Sequence, residues 1–234
     1  MMSNSQTTLV TKSRHVSSKN ESPRLFENEF MEFFSKVHPA TPMVLFLPVV
    51  TCLIYFVLAR RGLSIAATAG LFAFGLLLWT LIEYLMHRHL FHYEPKSRFG
   101  KRVHFLVHGA HHDYPQDASR LVAPPAFSIP VGLVFYGIFL VVFGRLAPAA
   151  FAGFLFGYVC YDTLHYAQHH LLMKRGLGLW LKRHHMHHHY KDHEHGFGVS
   201  SPLWDYVFRT RAPRPAESAN SLDDSADFVG TANH

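Results

Sequence analysis

The chain has 234 residues, of which 49% are hydrophobic and only 16% are charged, and its formal net charge is +6 at pH 7. Soluble globular chains usually carry roughly 25% charged residues, so the composition argues against a soluble protein and indicates a membrane bundle with polar tails. The basic residues are spread over several loops without a recognition module, which argues against nucleic-acid binding, and Cys52 and Cys160 both lie in apolar runs, which argues against a disulfide framework.

The N-terminal residues are predicted to lie outside the main domain. Residues 1–24 are rich in Ser, Thr, Asn and Lys, a composition typical of a disordered tail. Residues 25–40 have the apolar spacing of a short amphipathic helix, which we expect either to lie in the membrane interface or to dock on the bundle. The first 40 residues are polar and mixed in charge, so no cleavable signal peptide is expected. Residues 211–234 are predicted to form a second disordered tail.

Four long apolar runs predict an all-α integral membrane protein. About 20 residues in a helix cross the ~30 Å of a bilayer core, and we expect transmembrane helices at about 41–59, 64–86, 125–144 and 147–168. Only Arg60 and Arg61 separate the first two runs, and Arg145 separates the last two. Short connections of this kind predict two antiparallel hairpins. Residues 41–210 together form the predicted membrane domain.

The distribution of Lys and Arg predicts the orientation. Residues 88–120 and 170–215 hold most of these side chains, whereas Arg60, Arg61 and Arg145 lie in the opposite turns. By the positive-inside rule, both termini and the histidine-rich segments are expected on the cytoplasmic side. The prediction is therefore four helices in two hairpins with a cytoplasmic, histidine-rich helical cap.

The histidines of this cap follow a repeated spacing. His108-x-x-His111-His112 recurs as an identical pattern that begins at His185, and residues three and four apart share one face of a helix. His165 and His169 share a face in the same way, whereas His87 and His92 are five apart, so one of them is expected beyond a helix end. Ten imidazoles suit two metal ions with about five ligands each and an open position, since a closed structural zinc site needs only four.

Several other readings of these segments are open. The run 184–189 could be a histidine-rich tract of low metal specificity, although the recurrence of HxxHH argues against this. Glu83 precedes His87 by four residues and Asp162 precedes His165 by three, so each could orient a ligand ring or merely cap a helix or reach the interface. His193 and His195 follow the second motif without ligand spacing.

At this level of detail the sequence resembles the fatty acid 2-hydroxylase branch of the fatty acid hydroxylase superfamily. The resemblance runs from about residue 23 to residue 211. It is carried by Glu83-Tyr-Leu-Met-His-Arg-His-Leu-Phe-His92, His104-Phe-Leu-Val-His-Gly-Ala-His-His112, Asp117-Ala-Ser-Arg-Leu-Val-Ala-Pro-Pro125, Gly157-Tyr-Val-Cys-Tyr-Asp-Thr-Leu-His165 with His169-His170, His185-Met-His-His-His-Tyr-Lys191 and Gly196-Phe-Gly-Val-Ser-Ser-Pro-Leu-Trp-Asp-Tyr-Val-Phe208. The histidines alone indicate the superfamily, and the segments around Arg120, Tyr161 and Gly196 favour the 2-hydroxylase branch.

The resemblance implies a set of site residues. Its ten metal ligands fall on His87, His92, His108, His111, His112, His165, His169, His185, His188 and His189. Beside the metals it places His104 and His170, and the spacing of Glu83 and Asp162 adds these two as candidate catalytic residues that orient a ligand ring. A lipid head group is expected near Arg120, Tyr161 or Phe197. His187 stands where relatives usually carry another polar residue, so the register of that run could slip by one. Some relatives carry a fused cytochrome b5 domain, for which this chain has no room.

The implied reaction is O2-dependent 2-hydroxylation of the acyl chains of ceramides, other sphingolipids or free fatty acids. The resemblance implies a di-iron active form, with zinc as the other occupant, and electrons from a separate reductase, cytochrome b5-type or ferredoxin donor. Nitrogen ligands suit both metals. The expected location is a multi-pass position in the endoplasmic reticulum or a bacterial inner membrane, with the active site cytoplasmic.

Three alternative functions accompany this prediction. A sterol or carotenoid oxidase of the same superfamily would keep the metal site and change the cavity. A zinc membrane hydrolase would need an activated water, but the chain has no HExxH pair and Glu194 is the only Glu within a histidine run. A metal carrier would bind its ions loosely, without catalysis.

Overall fold

The computed structural model describes residues 16, 17 and 19–212, and every element assigned within them is helical. Four long helices form the body: α2 (Thr41–Arg60), α3 (Ile65–Leu85), α6 (Pro125–Phe143) and α7 (Ala147–His170). The shorter helices are α1 (Glu29–Phe34), α4 (Arg98–His104), α5 (Ala110–Asp113), α8 (Gly176–Tyr190) and α9 (Leu203–Val207). Two π-helical segments, π1 (Met86–Phe91) and π2 (Phe105–Gly109), continue α3 and α4 directly.

Three helical stretches are long and apolar enough to cross a membrane, namely Thr41–Arg60, Ile65–Phe91 and Pro125–His170. The third stretch is not one straight rod, because a 3-10 turn (Gly144–Leu146) that begins at a φ of 51° separates α6 from α7. Phe135 contacts Phe154 and Phe139 contacts Phe151, so α7 runs antiparallel to α6. The four long helices lie within two residues of the predicted spans, while the four membrane crossings themselves stay a prediction.

Helix α7 is the centre of the bundle and packs most closely on α3. A Cβ atom added at Gly153 would lie 2.7 Å from the carbonyl carbon of Phe72, and one added at Gly75 would lie 2.8 Å from the backbone nitrogen of Phe154. The glycines therefore let two helix backbones touch, which is the usual role of small residues in membrane helix pairs. Gly157 admits the indole of Trp79, so the GxxxG pattern of α7 is used in full.

The N-terminal segment is tied to the loop before α6 by an ion pair between Glu32 and Arg120 whose side chains are only 11% and 8% exposed. The Glu32 carboxylate also accepts hydrogen bonds from the backbone amides of Leu25 (3.0 Å) and Phe26 (3.2 Å). These bonds hold residues 25 and 26 outside a helix, and the Asn28 side chain caps the helix start. Helix α1 is therefore shorter than the predicted helix 25–40.

The residues before α1 also contact the body of the protein. The amide of Ser17 donates to the carbonyl of Asp113 at 2.8 Å, and the hydroxyls of Ser22 and Ser119 are 3.3 Å apart. This packing differs from the disordered tail predicted for residues 1–24, because the sequence pattern contains no sign of these distant partners. The remainder of the two predicted tails, residues 1–15, 18 and 213–234, lies outside the described residues.

Candidate metal centre

Two π-helical segments bring the first histidines of the site together. In π1 the amide of His92 donates to the carbonyl of His87 at 3.3 Å, so residues five apart, not four apart, are stacked along the helix. The His87 and His92 rings lie with their centroids 5.0 Å apart. The sequence predicts that one of the pair lies beyond a helix end, and His92 is indeed the residue that follows π1. The wider π turn places the His92 ring on the same side of the helix as the His87 ring.

The structure gathers the histidines into two groups, each with ligand atoms that all lie within 4.8 Å of one another. Cluster A consists of His87, His92, His108, His112 and His188, and cluster B consists of His111, His165, His169, His185 and His189. The clusters are adjacent, since the His112 and His189 ring centroids are 4.4 Å apart. Within the described residues, each group could therefore hold a metal ion next to the other.

Each HxxHH motif contributes to both clusters. His108 and His112 belong to cluster A, while His111 between them belongs to cluster B. The second motif is divided in the opposite sense, because its first and last histidines enter cluster B and only His188 enters cluster A. The three rings of one motif therefore lie on one side of the helix, as their spacing predicts, but face two different centres.

The distances between ring nitrogens fit shared metal ions. In cluster B, successive Nε2 atoms along the order His165, His111, His189, His185 and His169 are 2.9, 3.0, 3.1 and 2.9 Å apart. Two nitrogens bound to one ion at 2.0–2.1 Å lie about 2.9 Å apart at a right angle and about 3.4 Å apart at a tetrahedral angle. The observed spacing favours five or six coordination, which leaves room for a small molecule, over a closed tetrahedral site.

Several buried ring nitrogens of cluster A have no partner in the protein. The Nε2 atoms of His87, His108 and His112 are buried and have no hydrogen-bond partner among the described residues. A buried polar atom without a partner is costly, and a metal ion at the centre of the cluster would remove that cost. The residues present therefore fit the metal that the sequence predicts.

Electrostatics keeps these rings in the state that binds metals. Burial, reinforced by nearby histidines, lowers the pKa of His111 to about 3. The same causes, with burial the larger, hold the pKa values of the other cap histidines well below their usual range, namely His108, His112, His185, His188 and His189. The rings are therefore neutral at pH 7, and each keeps one nitrogen lone pair available for a metal.

Backbone carbonyls of one loop orient two rings of cluster A. The Nδ1 of His87 donates to the carbonyl of Phe197 at 2.6 Å, and the Nδ1 of His188 donates to the carbonyl of His195 at 2.8 Å. Since a carbonyl oxygen only accepts, each Nδ1 carries the proton and each Nε2 is left to bind the metal. Phe197, predicted to contact substrate, is only 5% exposed and contributes its carbonyl here.

Two other residues predicted beside the metals, His104 and Glu83, bond to backbone groups of neighbouring segments. His104 donates from Nε2 to the carbonyl of Phe91 in π1 at 2.6 Å. Glu83 bonds to the amides of Val199 and Ser200 at 2.7 and 2.8 Å, so it holds the loop instead of a histidine ring. Their roles in catalysis stay predictions.

Helix α7 carries three further predicted residues. Asp162 is 2% exposed, the Tyr161 ring lies 5.5 Å from that of His165, and His170 stacks on Tyr166 with centroids 4.5 Å apart, outside both clusters. Arg120, predicted to contact substrate, donates to Ser22, the carbonyl of Pro23, Glu32, Ser35 and Asp117. The functional roles of these residues also stay predictions.

Two buried residues in this region have no signal in the sequence. Asp205 is 0% exposed and accepts from the amides of Phe197 and Gly198 at 2.9 and 2.8 Å. Gln168, also 0% exposed, donates to the carbonyl of Val199 at 3.0 Å. Gln168 lies 31 residues from the loop that it holds, in a histidine-rich helix, whereas Asp205 lies seven or eight residues from the amides that it binds. Neither spacing indicates these contacts, so the fold identifies them. Asp205 does fall in the segment that carries the family resemblance.

Comparison with known proteins gives consistent matches. The family model described as fatty acid hydroxylase matches residues 72–210. A dihydroceramide fatty acyl 2-hydroxylase of Arabidopsis thaliana is 43% identical over 192 residues, which cover 81% of this chain and 80% of that protein. A fatty acid 2-hydroxylase of Rattus norvegicus is 37% identical over 215 residues, which cover 83% of this chain and 58% of that protein. A solved structure of full-length scs7p, in which only the hydroxylase domain is visible, has a TM-score of 0.75 and 40% identity over 80% of this chain and 71% of that one.

Proposed function

Since this chain belongs to the fatty acid hydroxylase family, we propose that it is an O2-dependent 2-hydroxylase of fatty acyl chains in ceramides, other sphingolipids or free fatty acids. The printed names of its relatives, a dihydroceramide fatty acyl 2-hydroxylase and a fatty acid 2-hydroxylase, support this substrate class. The observation that carries the proposal is a pair of adjacent five-histidine clusters, built where short helices meet the ends of two long apolar helices, α3 and α7.

The ten clustered histidines are the proposed ligands of two metal ions, with iron in the active form and zinc as an inactive occupant. When bound, a redox-active metal pair supplies the activation of O2 and the electron transfers that oxidation of an alkyl C–H bond needs. Zinc has no redox chemistry. The balance is one acyl C–H, one O2, two electrons and two protons in, and one C–OH and one water out. We propose that the electrons come from a separate protein, either a reductase, a cytochrome b5-type protein or a ferredoxin.

The protein's own contribution is to hold neutral imidazoles in place, to exclude water and to position the lipid. The apolar sides of α3, α6 and α7 are suited to an acyl chain, and Tyr161 lies next to His165. A small hollow of about 10 Å³, large enough for one water molecule, lies between the N-terminal segment and cluster B and is lined by Pro23, Leu25, Ala110, His111, Tyr114, Asp117 and Arg120. The hollow is too small for a lipid head group, so the proposal that one lies near Arg120 rests on the family resemblance alone.

We propose that the four long helices cross the membrane in two hairpins with the histidine clusters on the cytoplasmic side. Outward side chains such as Leu133 (65% exposed) and Val141 (88% exposed) on α6 support contact with lipid. Exposed basic residues of the cap support the orientation, among them Lys96, Arg98, Lys101, Arg102, Lys174, Arg175 and Lys191. The host membrane is then the endoplasmic reticulum or a bacterial inner membrane.

The test is expression in cells that lack their own 2-hydroxylase but supply a competent donor, followed by mass spectrometry of hydrolysed sphingolipids. The intact chain should produce 2-hydroxy fatty acids, and His108→Ala should produce none, because the ring belongs to cluster A. His89→Ala is the matched control, since His89 is an exposed histidine between two proposed ligands. It should retain activity.

Two results would count against the proposal. An intact chain that leaves 2-hydroxy fatty acids unchanged and alters sterols or carotenoids instead would favour another oxidase of the superfamily. Purified protein that turns over a lipid without O2 or reductant would favour a zinc hydrolase. Replacement of zinc by Fe(II) in purified protein should restore O2 consumption with reductant and lipid present.

A further inference from the structure

The two clusters differ in how their rings are held. In cluster A, the Nδ1 atoms of His87 and His188 both donate to carbonyls of the loop His195–Ser200, here called the anchor loop. By contrast, the Nδ1 atoms of His112 in cluster A and of four rings in cluster B are buried with no hydrogen-bond partner among the described residues, the four in cluster B being His165, His169, His185 and His189. Cluster A is therefore the one whose ring orientation depends on the anchor loop.

Asp205 in turn holds the anchor loop. One carboxylate oxygen accepts from the amide of Phe197 at 2.9 Å and from the hydroxyl of Thr210 at 2.9 Å. The other accepts from the amide of Gly198 at 2.8 Å and lies 3.3 Å from Nε2 of His184. With an exposure of 0%, the carboxylate has no solvent to replace these partners. Phe197 thus links the two groups: its carbonyl accepts the hydrogen bond from His87, and its amide donates to Asp205.

We infer that Asp205 is a positioning residue that sets the metal affinity of cluster A and leaves cluster B largely unaffected. The inference rests on the proposed two-metal centre and adds that its two sites are unequal. Partners that orient metal-binding histidines typically contribute a factor of about 10–100 in metal affinity. Loss of the Asp205 carboxylate frees the amide of Gly198, shifts the Phe197 carbonyl and releases the ring of His87.

The test measures metal stoichiometry and affinity in the purified full chain, with Zn²⁺ as the probe and a competing chelator. The intact chain should bind two ions. Asp205→Asn, which removes one of the two acceptor oxygens, should bind one ion with unchanged affinity and the second about 10–100-fold more weakly. Glu194→Gln is the control, because Glu194 is an exposed carboxylate next to the anchor loop, and it should bind two ions normally.

A second variant reaches the loop without altering Asp205. A Cβ at Gly198 would clash with the backbone carbonyl of Ser201 and lie 2.9 Å from the Asp205 carboxylate. Because the Ser201 backbone cannot rotate away, Gly198→Ala must displace the anchor loop and should weaken the same single ion. Gly70→Ala, where a Cβ would have nothing within 4 Å, should not. If Asp205→Asn does not fold, Gly198→Ala carries the test alone.

Double variants identify which cluster loses its ion. Combined with His92→Ala in cluster A, Asp205→Asn should cause no further loss, and one ion should remain. Combined with His165→Ala in cluster B, it should leave no tightly bound ion. A folded Asp205→Asn protein that binds two ions with intact affinity, or that weakens both equally, overturns the inference alone. An intact chain that binds fewer than two ions overturns the proposed centre as well.

Discussion

The close contact of α3 and α7 makes Gly153→Ala a sharp test of how the bundle places the metal ligands. The new Cβ would lie 2.7 Å from the carbonyl carbon and 2.8 Å from the Cα of Phe72. Carbon atoms pack comfortably at about 3.5–4.0 Å. The carbonyl oxygen of Phe72 lies closer still. The two backbones must therefore separate by more than the roughly 0.8 Å that the carbon contacts alone require, since none of these backbone atoms can rotate away.

This displacement acts on the site because α7 also carries His165 and His169. A misplacement of about 1 Å can lower a rate about 100-fold, and overpacking of a close contact costs about 1–3 kcal/mol of stability. We expect Gly153→Ala to lower 2-hydroxy fatty acid production by about 100-fold and to lower the Tm of the purified protein.

The matched control is Gly137→Ala on α6, where a Cβ would have nothing within 4 Å. This variant should keep full activity, and its Tm should be unchanged or slightly higher because alanine favours a helix over glycine. The assays are lipid mass spectrometry and thermal unfolding in detergent, run on both variants. Equal activity and equal Tm for Gly153→Ala and Gly137→Ala would refute the claim that this contact positions the α7 ligands.

Two further predictions concern the ligands and the N-terminal segment. Removal of metal by a chelator should lower the Tm and speed proteolysis of the cap, because it leaves buried ring nitrogens without partners; an unchanged Tm would favour a loosely binding carrier. Arg120→Gln should destabilise the protein by about 3 kcal/mol at pH 7, since it breaks a buried ion pair, as measured by chemical unfolding. Burial opposes ionisation of Glu32, but the amides of Leu25 and Phe26 and the charge of Arg120 outweigh it and lower the pKa of Glu32 from 4.5. A lowered folded-state pKa stabilises above the unfolded value and loses that effect as pH falls through the folded value. The stability difference between the intact chain and Arg120→Gln should therefore shrink below about pH 4, and a constant difference would show that the pair is not what Arg120 contributes.

The sequence predicts the helical class and the grouping of histidines because both depend on local patterns. Apolar runs report helix length, and HxxHH reports a shared helix face. The spacing of His87 and His92 is the only sequence feature that indicates π1, since five residues match a π turn. The spacing alone does not distinguish a π turn from a helix end. The GxxxG pattern at Gly153 is likewise present in the sequence, but the sequence does not show which helix packs against it.

The parts that the sequence did not predict depend on tertiary contacts, most of them between residues that are far apart in the chain. Nothing near Asp205 indicates that its carboxylate holds the anchor loop, and nothing near Arg120 indicates that it ties down the N-terminal segment. The division of each HxxHH motif between two clusters has the same origin, because it depends on where α7 and α8 stand relative to π2. A local pattern identifies a ligand but does not assign it to an ion.

That division has an energetic consequence for the whole cap. Cluster A draws its ligands from π1, π2, α5 and α8, and cluster B draws its ligands from α5, α7 and α8, so neither ion can bind unless several helices are already in place. Metal binding and helix packing are then linked, and free energy of binding becomes free energy of folding. An excess of Zn²⁺ at about 100 times its Kd should stabilise a competent folded state by about 2.7 kcal/mol, which is comparable to the expected loss in Gly153→Ala. Added Zn²⁺ should therefore raise the Tm of Gly153→Ala towards that of the intact chain. A variant that has lost one ligand from each cluster, His108→Ala with His185→Ala, should respond far less.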